Sequence, residues 1–271
     1  MVEFASKNDE DELKSIWKNV FHDTDFYIDL YFVNNFVPNN TLIFKNNKKI
    51  ASMLFMRPYQ FCYWGENILC YYLSGLATLP EFRNQKIMSQ LLTASDTIMK
   101  KRNIPLAILI PAGDKMFNFY GKFDFVKVFE KDCSEIPLRK LIENHNYMLD
   151  SFAEFEKIYM KENFCIKKKF ADFQAIIREW EYEQRPIKTN VAGMAKLIDP
   201  HLLFNIYLKK TGNNIKLNIE NPQNAILQNG ELTVNIKQLC ILLFGVCTSQ
   251  LSEEFAAAFP EHNPILNLML E

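Results

Sequence analysis

The sequence predicts an α+β protein: a mixed, mostly antiparallel sheet flanked by helices, followed by a smaller C-terminal α+β unit. Three observations carry this. Two early stretches have helical periodicity, four extended stretches follow with tight turns between them, and helix then alternates with strand, which is the order of an α+β layer fold. With 271 residues, the chain is long enough for two units of ordinary size. Composition also shifts after Ile136, where strand signals thin out as far as Pro186.

Residues 2–5 read as a short strand. Leu13, Ile16, Trp17, Val20 and Phe21 then share one helical face. The acidic run from Asp9 to Glu12 stands where that helix begins, at the positive end of its dipole. Residues 26–36 read as a second helix stopped near Pro38. Residues 41–44 and 50–56 read as strands turning at Asn46, Asn47 and Lys48, and residues 59–63 and 68–78 as a further pair turning at Gly65, Glu66 and Asn67. After Pro80 a helix follows, with Ile87, Leu91, Leu92, Ser95, Ile98 and Met99 on one face. A buried strand over 106–110, a brief helix over 114–120 and a strand over 125–129 complete the first unit.

The domain reading is therefore 1–136 for the first unit, 137–185 for a helical connecting region and 186–271 for the second unit. The second unit opens with a strand over 191–197. Asp199 and Pro200 then start a helix, Asp as a cap and Pro at a position whose N–H would be unpaired anyway. Strands over 215–219 and 225–227 follow, and Asn229-Gly230 turns the chain into 232–234. Asn235 is placed to cap the next helix, and a last helix over 252–259 ends at Pro260.

Composition removes several classes of function. Apolar residues are 48% and charged residues 23%, the mixture of a protein with a real core rather than a disordered one. The 23 Phe and 11 Tyr are assigned first to that core. A net charge of −1 gives no global attraction to nucleic acid or anionic membrane, so neither is expected as a partner. Lys167, Lys168 and Lys169 read as a solvated patch. Cysteines 62, 70, 133, 165, 240 and 247 show no C-x-x-C spacing and no adjacent histidine, so no metal site is expected. The first residues lack the basic-then-apolar pattern of a signal peptide, and the longest apolar run, 239–246, is far below spanning length. A cytoplasmic protein is expected.

The informative segment is 73–92. A strand ends, a tight loop follows and a helix begins, which aims unpaired backbone N–H groups and the positive end of the helix dipole at one spot. Arg83 stands on the lip of this anion site, and a pyrophosphate would suit it. His22, His145, His201 and His262 are scattered, and no Ser/His/Asp or Cys/His arrangement can be assembled from their order.

Arg83-Asn84-Gln85-Lys86-Ile87-Met88 resembles the coenzyme-binding loop of the GNAT acetyltransferase superfamily, Arg/Gln-x-x-Gly-x-Gly/Ala. Residues 117–125, Phe-Asn-Phe-Tyr-Gly-Lys-Phe-Asp-Phe, are similar to that family's Phe-Tyr-x-Lys-x-Gly-Phe signature. The resemblance implies acetyl-CoA as co-substrate. Leu76, Ala77 and Thr78 would lie along its pantetheine arm, and Arg83, Asn84, Gln85, Lys86, Ile87, Met88 and Ser89 would hold its pyrophosphate. Tyr120 would protonate the departing thiolate. The sequence departs from the pattern where Lys86 and Met88 replace small residues, where Asp124 replaces the usual glycine and where Gly113 replaces a common asparagine. Asp25 and Tyr27 fall in the region that lines the acceptor side in the superfamily.

The layout also resembles members with Eis-like architecture, which join a GNAT domain to a sterol-carrier-protein-like domain. Residues 193–200 are similar to that domain's opening strand and helix, and 229–239 to its hairpin and late helix. The resemblance implies that the terminal carboxylate of Glu271 helps deprotonate the acceptor amine. Only residues 137–185 stand where larger members carry a second GNAT-like domain. The expected activity is acyl transfer to an amine by direct attack, the amine being a small molecule or a protein lysine, with self-association into a homo-oligomer kept as an expectation. The rival expectation is a catalytically inactive binding or assembly module whose C-terminal domain holds an apolar ligand.

Overall fold

A computed structural model describes residues 1–47, 49–132, 134–160 and 163–266. The chain opens with β1 (Val2–Phe4), α1 (Glu10–Phe21) and α2 (Asp25–Asn35). The apolar face expected of α1 is buried at Leu13, Ile16 and Trp17. Thr24 caps α2, its hydroxyl accepting from the Tyr27 amide at 3.2 Å. β2 (Thr41–Asn46), β3 (Lys49–Tyr63) and β4 (Glu66–Thr78) form an antiparallel meander, with β1 on its outer edge.

β3 is one strand of 15 residues, where the sequence suggests two. Pro58 sits between the pairing with β2, which ends at Phe55, and the pairing with a later strand, which starts at Gln60. One side of β3 has no ladder there, and a proline without an N–H is tolerated at such a place.

α3 (Ile87–Lys101) crosses back and delivers β5 (Leu106–Leu109), parallel to β4; α4 (Asp114–Gly121) and β6 (Val126–Phe129) follow. The stretch after 136 holds α5 (Leu138–Glu143), α6 (Met148–Tyr159) and α7 (Phe170–Glu183), packed around Phe155 and Phe173. It also contributes β7 (Cys165–Lys167), which pairs with Gln60–Cys62 of β3, so the connecting region is built into the main sheet. Within it, Lys168 is 4% exposed. The expected solvated lysine patch is therefore corrected at its centre: the strand that carries the chain to Lys168 lies on β3, and its side chain goes under with it.

β8 (Gly193–Leu197) runs antiparallel between β5 and β6, giving a large sheet of order β1-β2-β3-β4-β5-β8-β6. The sequence reading assigns this strand to the second unit, and the expected division at 186 therefore cuts the sheet. All five of its residues are buried, as a strand with neighbours on both edges and cover on both faces requires. Lys196 of β8 pairs with Asp96 of α3.

The remainder is α8 (Pro200–Thr211), β9 (Lys216–Ile219), β10 (Ile226–Gln228), β11 (Glu231–Val234), α9 (Ile236–Leu243) and α10 (Glu253–Ala258). The two caps read from sequence form as expected: Asp199 accepts from the Leu202 amide at 3.0 Å, and Asn235 from the Gln238 amide at 2.9 Å. β10, β11 and β9 make a small sheet in which β11 runs parallel to β9. One continuous core joins Phe61, Tyr72 and Ile108 of the large sheet to Tyr207, Leu232, Leu239 and Phe244 of the C-terminal part.

Candidate active site

The site begins where two strands part. β4 and β5 are paired only as far as Leu73 opposite Leu109. Beyond that point β4 continues to Thr78 along β3, while the other chain leaves through Ile110, Pro111 and Ala112, and a cleft opens between them. β4 also carries a bulge: Met53 faces Ala77 but Phe55 faces Ser74, one residue more on β4 than on β3. Gly75 lies in this bulge with φ +56°, and a Cβ there would come 2.7 Å from Trp17 and 2.8 Å from Phe55. Backbone conformation and space both require glycine.

Two clefts meet at the bulge. The first has a volume of about 390 Å³ and is walled by Trp17, Phe21, Asp23, Tyr31, Tyr72, Ser74 and Tyr120, among others. The second runs along the outer end of β4 and the start of α3. Leu76, Thr78, Arg83, Asn84, Lys86, Ile87, Met88 and Ser89 line it, with Val20, Phe82, Met116 and Phe119 as further apolar walls. Leu76 and Tyr120 belong to both. Of the residues expected along the coenzyme, Ala77 and Gln85 do not line this cleft. Ala77 is buried, its carbonyl accepting from the Ser52 hydroxyl at 2.7 Å, and the Gln85 amide donates to the Glu81 carbonyl at 3.3 Å. Glu271 lies outside the described residues.

The loop from 82 to 89 is shaped by left-handed residues. Asn84 has φ +62° and Lys86, the cap residue just before α3, has φ +57°. Asp124, after α4, has φ +65°. Lys86 and Asp124 are two of the positions where the family pattern carries glycine, so the backbone keeps the glycine-like conformation although the side chains have changed. The Arg83 Nε donates to the Thr78 carbonyl at 3.1 Å, tying the loop to the end of β4. The first amides of α3 have no partner within the helix and are available to an anion.

Tyr120 is 7% exposed, and burial pushes its phenol up to about 12. Among the described residues its hydroxyl has no hydrogen-bond partner, and it borders both clefts. Asp25, expected on the acceptor side, instead pairs with Lys18, and Tyr27 is buried among the core aromatics. It is Asp23, two residues earlier, that enters the cleft wall. The missed wall residues Trp17 and Phe21 had a readable signal, an i, i+4 aromatic pair on α1; Ser74 had only its position two residues before Leu76.

Residues 2–128 match a family model described as acetyltransferase (GNAT) domain. This part of the chain is similar to a GNAT acetyltransferase domain. The match ends before β7 and β8, so two strands of the large sheet come from outside the matched span. Among solved structures, a GCN5-related N-acetyltransferase from Anabaena variabilis aligns over 97% of this chain and 98% of its own, with a TM-score of 0.63 and 13% identity. A protein of unknown function from Enterococcus faecalis, described as a probable N-acyltransferase, aligns over 73% of this chain with a TM-score of 0.52 and 11% identity. The alignment takes in 51% of that protein, so this chain spans about half its length. Eis1 from Mycobacterium abscessus aligns over 46% of this chain and 30% of its own, with a TM-score of 0.39 and 12% identity. At these identities the first two likenesses are of fold alone. No curated protein sequence matches the chain.

Proposed function

We propose that the protein transfers an acetyl group from acetyl-CoA to an amine. The observation that carries this reading is the meeting of two clefts at Leu76 and Tyr120. One cleft suits a coenzyme: it offers helix N-terminal amides and the cations Arg83 and Lys86 for a pyrophosphate, and apolar walls for the pantetheine. The other suits an acceptor. The residues present fit acetyl-CoA as a co-substrate, with Leu76 and Thr78 alongside its arm and Arg83 to Ser89 around its phosphates.

In this reading the thioester lies at the β4 bulge, where a backbone N–H near Leu76 polarises its carbonyl. The amine nitrogen attacks the carbonyl carbon, the N–C bond forms and the C–S bond breaks. Sulfur takes the phenolic proton of Tyr120, and the proton released by nitrogen restores the phenol. No acyl-enzyme is required. Buried Cys70 has its thiol pushed up to about 12 by desolvation, the opposite of activation. The terminal carboxylate of Glu271 remains a proposed participant in removing the amine proton, and the C-terminal unit a proposed sterol-carrier-protein-like domain. Cytoplasmic location is proposed with them; among the described residues, no helix is long and apolar enough to cross a membrane.

Calorimetric titration with acetyl-CoA and free coenzyme A tests the reading. Micromolar binding that is lost in Arg83→Glu is the expected result. Absence of binding at millimolar coenzyme would overturn it and leave the inactive module as the better account.

A further inference from the structure

The cleft beyond Tyr120 contains polar groups that the transfer step leaves unused. Five aromatic rings stand in its walls, and two polar points stand among them. The first is Asp23. The Trp17 indole donates to one of its carboxylate oxygens at 2.8 Å, which orients the group; among the described residues the other oxygen has no hydrogen-bond partner.

The second point is a hydroxyl pair. Tyr31 Oη and Ser74 Oγ lie 2.6 Å apart, both residues are buried, and both line the cleft. Behind them is Arg57, only 5% exposed, with its guanidinium 5.4 Å from the Tyr31 ring and 5.6 Å from the Tyr72 ring. It donates to the Tyr59 hydroxyl and lies within hydrogen-bonding reach of the Tyr31 hydroxyl. An arginine can only donate. Two hydroxyls bring two hydrogens, and one is used between them. The second cannot turn to the guanidinium, and among the described residues neither hydroxyl has another acceptor. That hydrogen is left for an acceptor in the cleft, with the buried cation behind it to polarise it.

We propose that the cleft takes an amino-acid-like acceptor, a small amine that also carries a carboxylate. Its nitrogen sits at the Tyr120 end, its carboxylate accepts from the Tyr31–Ser74 pair, and an apolar side chain lies on the aromatic walls. Asp23 takes the proton that converts the ammonium to the attacking amine, and passes it to solvent. Bond making and breaking at the thioester are unchanged. The assignment rests on the acetyltransferase reading. A purely cationic amine would satisfy Asp23 but leave the hydroxyl hydrogen without an acceptor, which disfavours it.

The test compares initial rates at saturating acetyl-CoA on matched probes: L-phenylalanine against phenethylamine, L-leucine against 3-methylbutylamine, with spermidine as a third class. The amino acids should be preferred by about tenfold or more in kcat/KM, the effect of one hydrogen bond to a charged group. Ser74→Ala should shrink that preference by raising KM for the amino acids more than for the amines. Arg57→Gln, whose side chain can also accept and so reverse the pair, should shrink it in the same way. Asp23→Asn should lower kcat on every acceptor. Amines or spermidine turned over as well as the amino acids would overturn the proposal, as would an equal loss on all acceptors in Ser74→Ala, which would put that hydroxyl on the thioester instead. Acetyl-CoA titrations of the same proteins separate the two levels. Coenzyme bound without the amino-acid preference sinks the acceptor class alone, whereas no coenzyme bound sinks the transferase reading beneath it.

Discussion

Tyr120 brings an acid to the junction of the two clefts that its surroundings keep protonated. Burial raises the phenol to about 12, so below that pH the proton is in place. Tyr120→Phe should therefore lower kcat by about 10²–10⁴-fold while coenzyme affinity from titration stays near the wild-type value. In the wild type, kcat should show no alkaline fall due to this residue below about pH 11, since the group deprotonates only as pH passes its raised pKa; a fall centred near pH 9 would assign the acid elsewhere. Tyr120 stands out as a candidate in the sequence because a run of nine residues frames it. Asp23 and Ser74 were not, because a carboxylate in a loop and a serine in a strand acquire a role only when folding sets them on one cavity. Gly75 shows the same limit: one glycine in a strand reads as a weak point, and only the neighbouring Trp17 and Phe55 reveal why no side chain fits.

The loop before α3 and the strand β7 illustrate what whole elements add. Lys86 holds a left-handed conformation that costs a non-glycine residue about 1 kcal/mol. Lys86→Gly should keep the fold and raise stability by up to ~1 kcal/mol, and the β-branched Lys86→Val should lower it by a similar amount; denaturant midpoints measure both. β7 has a different consequence. It draws Lys168 into the interior, where desolvation pulls the ammonium down to about 8 from an ordinary 10.5, with Asp172 opposing. Below pH 8 both folded and unfolded chains hold the proton, and the burial penalty is fully present. Between about 8 and 10.5 the unfolded chain binds more protons, so this residue makes stability rise with pH. The difference between wild type and Lys168→Met in urea unfolding should therefore shrink from pH 7.5 to pH 9.5, and a constant difference would contradict the burial account. Helices and hairpins were legible from caps and turns, as at Asp199, Asn235 and Asn229-Gly230. β7 was not, since three residues after a helical stretch carry no period, and the continuity of β3 through Pro58 depends on neighbours far along the chain.

At the scale of the whole molecule, the α+β class was readable but the partition was not. The Gly-Met-Ala-Lys-Leu strand looks like the start of a new unit, because an Asp-Pro helix start follows it directly. Its partners are β5 and β6, more than sixty residues earlier. A fragment of residues 1–136 lacks both β7 and β8, and β5 and β6 are left without the strand that joins them. That fragment should be aggregation-prone or loosely folded, with no cooperative thermal transition, whereas a fragment of residues 1–266 should melt in one. A sharp transition in 1–136 would show that β8 is dispensable.

The late arrival of β8 also sets an order of events during synthesis. The ribosome delivers β1 to β6 first, and the gap between β5 and β6 stays open until residue 197 has left the exit tunnel. Until then two buried strand edges stand exposed in a nascent chain that already carries most of its aromatic core. Local contacts in the meander can form at once, but closure waits on a long-range pairing, which is the slow kind. A newly made molecule thus passes through an interval in which chaperones that shield strand edges have something to hold, and the large sheet closes only with the insertion of one strand.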